Sequence, residues 1–68
     1  MGISYRKLWI RLAEREISKQ EFREQMGIAP GTMTKLNKGQ EVALPVLIRI
    51  CEYLGCDIGD ICEVVSKK

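Results

Sequence analysis

The sequence predicts an all-α fold: one domain over residues 1–68, built from five short helices around a central helix-turn-helix. Two observations predict it. Helix start and stop residues recur in pairs, Ser18 with Gly27, Pro30 with Gly39 and Pro45 with Gly55. Apolar residues between and beside those signals repeat at i, i+3, i+4 and i+7, the period of a helix buried on one side.

A first helix is expected over residues 5–15. Tyr5, Leu8, Trp9, Leu12 and Ala13 form one apolar stripe, and Arg6, Lys7, Arg11 and Arg15 lie off it. At that spacing Trp9 reads as a core residue whose indole N–H needs an acceptor, rather than as a stacking platform.

The second helix, 19–26, has a full set of start signals. Ser18 can accept from an early backbone N–H, Glu21 stands where it closes a capping box, and Ile17 can staple to Phe22. Phe22 and Met26 share one face, and Gly27 supplies a left-handed end. The third helix, 30–38, restarts at once. Pro30 suits a first helical position because its missing N–H would have no intrahelical acceptor there, Ile28 can staple to Met33, and Gly39 is the stop. Two capped helices around a tight turn match the helix-turn-helix unit.

The outward face of the third helix matters most. Met33 and Leu36 define its buried side, so Gly31, Thr34, Lys35 and Lys38 fall on or near the opposite side, flanked by Thr32 and Asn37. That face carries two cations, hydroxyls at its edges and no acid. It reads either as a plain solvated face or as a surface displayed to a duplex, and the punctuation around it favours the duplex.

Residues 40–43 form a connector. A fourth helix is expected over 44–54, with Pro45 in its first turn and Leu47, Ile50, Cys51 and Leu54 as its core stripe; Val46 and Ile48 lie partly off it. A fifth is expected over 58–64, capped by Asp57, with Asp60 in the first turn and Ile58, Ile61, Cys62 and Val65 as its stripe. Ser66-Lys67-Lys68 is expected to be a frayed tail.

Composition sets the outer bounds. With 46% apolar and 29% charged residues in 68, the chain suits one small soluble domain. The net charge of +2 is modest, but it is unevenly spread. Residues 1–38 hold eight Lys/Arg against four Glu, a balance of +4, and residues 39–68 hold three against five, a balance of −2. The basic surplus coincides with the proposed duplex-facing half. Three cysteines without a Cys-x-x-Cys pair, and no histidine, argue for small buried hydrophobes in a reducing cytoplasm rather than a zinc site. No apolar run is long enough to span a bilayer, and the N-terminus has no secretory pattern.

Residues 18–65 resemble the Cro/C1-type (XRE-type) helix-turn-helix family. The likeness is carried by Met26-Gly27-Ile28, by Met33 and Leu36, by the Gly39 stop and by the run Leu47 to Leu54. It implies a five-helix, lambda-repressor-like domain whose third helix enters the major groove of double-stranded DNA, commonly as a homodimer. It also implies phosphate contacts at the start of the second helix, here Lys19 and Gln20, and around the connector, here Lys38, Gly39 and Gln40. Base contacts would fall to Thr32, Thr34 and Lys35.

Two positions depart from the family pattern. Pro30 and Gly31 stand where relatives often carry polar base readers; Gly31 either lets the backbone approach the groove or leaves the module reading few bases. Arg23 stands where relatives commonly carry a small residue, and it either pairs at the surface with Glu21 or Glu24 or reaches a phosphate.

The expected function is a cytoplasmic, prokaryotic or phage transcriptional regulator, with no cofactor, metal, small-molecule ligand or membrane partner. The competing reading is a protein-interaction module, or an antitoxin-like partner-binding protein, that retains the fold. Enzyme function is not expected, because no nucleophile–base pair, phosphate loop or metal cluster is present. Asp57 and Asp60 are accounted for by capping.

Overall fold

A computed structural model describes residues 2–66. Four α-helices form there: α1 (Arg6–Glu14), α2 (Lys19–Met26), α3 (Pro30–Lys38) and α4 (Leu44–Leu54). Two short strands bracket them, β1 (Gly2–Ser4) and β2 (Glu63–Val65). The strands pair antiparallel, with Gly2 opposite Val65, Ile3 opposite Val64 and Ser4 opposite Glu63.

The helix-turn-helix is held by the residues that punctuate it. Ser18 Oγ accepts the Glu21 N–H at 3.0 Å, opening α2. The reciprocal half of the expected capping box is absent: the Glu21 carboxylate accepts instead from Gln25 Nε2 at 3.2 Å, one turn along. Gly27 closes α2 at φ 67°, and the Ile28 N–H reaches back to the Arg23 carbonyl at 3.1 Å, the bond of a Schellman end. Pro30 then opens α3. From α4, the Arg49 guanidinium donates to the Met26 carbonyl, satisfying one of the orphan acceptors at the end of α2.

The core lies where all four helices meet. Leu8, Leu12, Phe22, Leu36, Ile50, Leu54 and Ile61 are its largest fully buried side chains, each stabilising by about 1.5–3 kcal/mol on transfer from water. Phe22 and Tyr53 pack with ring centroids 6.0 Å apart at 55°. Ala13, assigned to the α1 stripe by period, is exposed because α1 ends at Glu14 and its last turn overhangs the core.

The expected fifth helix over 58–64 is not an α-helix. A capping box does form, with Asp57 Oδ1 accepting the Ile58 N–H at 2.8 Å and the Asp60 carboxylate accepting the Asp57 N–H at 3.0 Å. It opens only a 3₁₀ turn, Ile58–Asp60, after which the chain extends into β2. The physical reason is local. Gly59 weakens the first turn, and Val64-Val65 favour extended backbone once β1 offers a ladder. The apolar selection was sound even so: Ile61 and Cys62 are buried, and Ile58 packs against the core.

The C-terminal segment is tied to α1 by charge. Lys7 Nζ lies 3.4 Å from the Glu63 carboxylate, and Arg11 Nη2 lies 3.4 Å from that of Asp60. Lys7 and Arg11 also donate to the Gly59 and Asp60 carbonyls, each at 3.2 Å. The expected frayed end at Lys67-Lys68 lies outside the described residues.

Candidate nucleic-acid interface

Burial of Met33 and Leu36 rotates the rest of α3 outward. Pro30, Gly31, Thr34, Lys35, Asn37 and Lys38 are all exposed, and no acid lies among them. Thr32 is half-buried and turns toward α4, lining a groove of about 210 Å³ with Gly27, Ile28, Ala29, Val46 and Arg49. Thr34 Oγ1 donates to the Pro30 carbonyl at 3.0 Å, so its proton is spent one turn back while its oxygen still accepts. Gly31 has open space around it: a Cβ built there would meet nothing within 4 Å.

The residues singled out for phosphate contact lie on α2 and around the end of α3. Lys19, at the start of α2, reaches across to α3, its ammonium donating to Asn37 Oδ1 at 2.9 Å while lying 4.1 Å from the centroid of the Trp9 ring. Gln20 is exposed and donates to the Glu24 carboxylate at 3.3 Å. Lys38 and Gln40 are exposed on either side of Gly39. The Gln40 N–H closes α3 on the Lys35 carbonyl at 2.8 Å, and the Gln40 carbonyl accepts from the Tyr5 hydroxyl at 2.8 Å. The connector is therefore fixed to α1. Burial pushes the Tyr5 phenol above its ordinary pKa.

Arg23 is half-buried, and among the described residues it makes no ion pair, which corrects the expected pairing with Glu21 or Glu24. The Glu21 and Glu24 carboxylates accept instead from the amides of Gln25 and Gln20, at 3.2 and 3.3 Å.

A groove beside Lys38 was not foreseen in the sequence. Arg6, Trp9 and Asn37 line, with Lys38, a shallow groove of about 310 Å³ between the start of α1 and the end of α3. Trp9 is half-buried, packs against the core and carries the Lys19 ammonium on its ring. No local signal could have found this groove, because it depends on how α1 crosses α3.

Comparison with known proteins agrees with the geometry. The Cro/C1-type HTH DNA-binding domain family matches residues 7–67. A crystal structure of the transcriptional regulator VanUg superposes with a TM-score of 0.94 at 47% identity, covering 97% of this chain and 88% of that one. No curated protein matches.

Proposed function

The chain belongs to the Cro/C1-type helix-turn-helix DNA-binding family, and from that premise we propose a transcriptional regulator that reads duplex DNA with α3 in the major groove. The observation that carries the reading is the acid-free outward face of α3, open from Pro30 to Lys38 while Met33 and Leu36 face the core. A groove lined with phosphates attracts such a face and repels an acidic one.

Division of labour follows from chemistry. Lys35 donates to guanine O6 and N7, Thr34 accepts from an exocyclic amine or touches a thymine methyl, and Thr32 contributes from the α4 side. Lys19, Gln20, Arg23, Lys38 and Gln40 contact phosphates, fixing register without reading sequence. The free N–H groups and positive dipole end of α2 reinforce Lys19. One module buries little DNA surface, so the functional unit is a homodimer on a two-fold site. Its compartment is the cytoplasm of a prokaryote or phage-infected cell.

The test is selection of binding sites from a random duplex pool, followed by a salt titration on the winner. The expected result is an enriched two-fold sequence whose log affinity falls linearly with log salt. Lys35→Ala should weaken the enriched site more than random duplex. Absence of any duplex binding would overturn the reading and return the fold to protein recognition.

A further inference from the structure

We propose that the groove between the start of α1 and the end of α3 is a further phosphate-binding site, in which Arg6 and Lys38 hold the backbone of the duplex beyond the stretch that α3 faces. The proposal deepens the DNA-binding reading above and rests on it for its ligand.

The cations of α1 divide into two kinds. Lys7 and Arg11 meet the Glu63 and Asp60 carboxylates at 3.4 Å. Arg6 is exposed and meets no acid among the described residues, and the same holds for Lys38. Both line one groove of about 310 Å³, and no acid lines it with them. Lys19 stands beside that groove, donating to Asn37 at 2.9 Å and lying over the ring of Trp9, two of the lining residues. Three cations thus gather at one acid-free concavity. Their mutual repulsion is uncompensated in the free chain, and an anion placed among them turns it into attraction.

The groove is formed before any ligand arrives. Tyr5, buried in its wall, donates to the Gln40 carbonyl at 2.8 Å. The Ile3 carbonyl lies so close to the connector that a Cβ on Gly39 would stand 3.0 Å from it. The two walls are therefore tied together, and a site held in shape by its own fold loses little freedom on binding.

The lining chemistry suits a phosphodiester. A guanidinium forks onto two phosphate oxygens, and Lys38 adds a point charge. Ser4 Oγ accepts the Arg6 N–H at 3.3 Å, which leaves its own proton to donate. Asn37 accepts from Lys19 through Oδ1, which leaves its amide N–H groups to donate. The groove is too shallow to retain a lone anion well. Asn37 and Lys38, however, belong both to it and to the outward face of α3. A strand docked on α3 carries its own phosphates to the groove at high effective concentration.

Trp9 is the only tryptophan in the chain, so its emission reports on the groove directly. The test titrates the full chain with a mixed-sequence duplex at several salt concentrations, beside Arg6→Gln, Arg6→Lys and Lys7→Gln. Duplex should change the Trp9 emission of the wild type. Arg6→Gln should lower the slope of log affinity against log salt by about 0.9, and Arg6→Lys should restore it. Lys7→Gln removes the same charge from the side of α1 that faces Glu63, and should leave the slope unchanged. Inorganic phosphate at matched ionic strength should leave the emission unchanged. Should far-UV circular dichroism show Arg6→Gln unfolded, Arg6→Ala takes its place. Equal slopes for wild type and the neutral Arg6 variant overturn this proposal and leave the regulator reading standing. Emission that answers to inorganic phosphate but not to duplex overturns it as well. A wild-type chain that binds no duplex at any salt concentration overturns both.

Discussion

The ammonium of Lys19 lies 4.1 Å from the centroid of the Trp9 ring while donating to Asn37 at 2.9 Å, so one cation joins α1, α2 and α3. A lysine held this way has already lost much of the rotamer freedom that a phosphate contact would otherwise cost. Lys19→Met keeps the apolar stem and removes the charge. It should reduce the slope of log affinity against log salt by about 0.9. Asn37→Ala should leave the slope unchanged and lower affinity at every salt concentration, because the charge stays and its positioning is lost. Duplex titrations at several salt concentrations separate the two effects. Equal slopes for wild type and Lys19→Met would remove Lys19 from the interface.

Gly31 sits in the first turn of α3 with open space around its missing side chain. Gly31→Ala should therefore stabilise the fold, by about 0.5–1 kcal/mol in urea unfolding, because alanine loses less backbone freedom in a helix. Its effect on DNA binding decides what the glycine is for. A tenfold or greater loss of affinity assigns it to close backbone approach in the groove. Unchanged affinity leaves the reading to Thr32, Thr34 and Lys35.

The helix-turn-helix was legible because its signals are local. Ser18, Gly27, Pro30 and Gly39 each act on the backbone within a few residues, whatever the remainder of the chain does. The C-terminal segment was not legible for the opposite reason. Ile58, Ile61, Cys62 and Val65 satisfy a helical period, and only the presence of β1, some sixty residues away in sequence, turns Glu63–Val65 into a strand. Gly2–Ser4 is too short to announce itself as that partner. The interface shows the same division. The outward set of α3 follows from Met33 and Leu36, whereas the Arg6, Trp9 and Lys38 groove needs the crossing of α1 over α3. Of the two roles the sequence left open for Arg23, the pair with Glu21 or Glu24 does not form among the described residues, where those carboxylates accept from Gln25 and Gln20.

Gly39 meets two demands at once. Its φ of 69° costs an L-residue about 1–2 kcal/mol, and a Cβ there would stand 3.0 Å from the Ile3 carbonyl. Gly27 has nearly the same φ, 67°, with nothing within 4 Å of its Cβ position. Gly39→Ala should therefore destabilise more than Gly27→Ala, which should cost about 1 kcal/mol. Urea midpoints of the two variants check the order. Equal losses would mean that β1 yields freely and does not press on the connector.

The three thiols differ in access. Cys51 and Cys62 are buried, and burial pushes both above the ordinary thiol pKa, leaving little thiolate at neutral pH. Cys56 is half-exposed. Iodoacetamide on the native chain should label Cys56 first, with Cys51 and Cys62 modified only on unfolding, as read by peptide mass spectrometry. Early labelling of Cys62 would show that the segment after Asp60 opens readily from α1.

Acid should loosen that same segment. The Asp57 N–H, 3.0 Å away, holds the Asp60 carboxyl below its ordinary pKa, and the guanidinium of Arg11 at 3.4 Å adds to the effect. A carboxylate depressed in the folded state stabilises above its unfolded pKa, and that contribution is lost as pH falls through the folded value. Asp60→Asn keeps an acceptor for the Asp57 N–H and deletes the charge. The wild type should exceed the variant in stability at neutral pH, and the gap should close on acidification toward about pH 3, below the usual carboxylate range. Urea unfolding at the two pH values measures it. A gap that persists in acid would assign the role of Asp60 to hydrogen-bond geometry alone, and Arg11 would then hold the 3₁₀ turn through the Asp60 carbonyl it reaches at 3.2 Å.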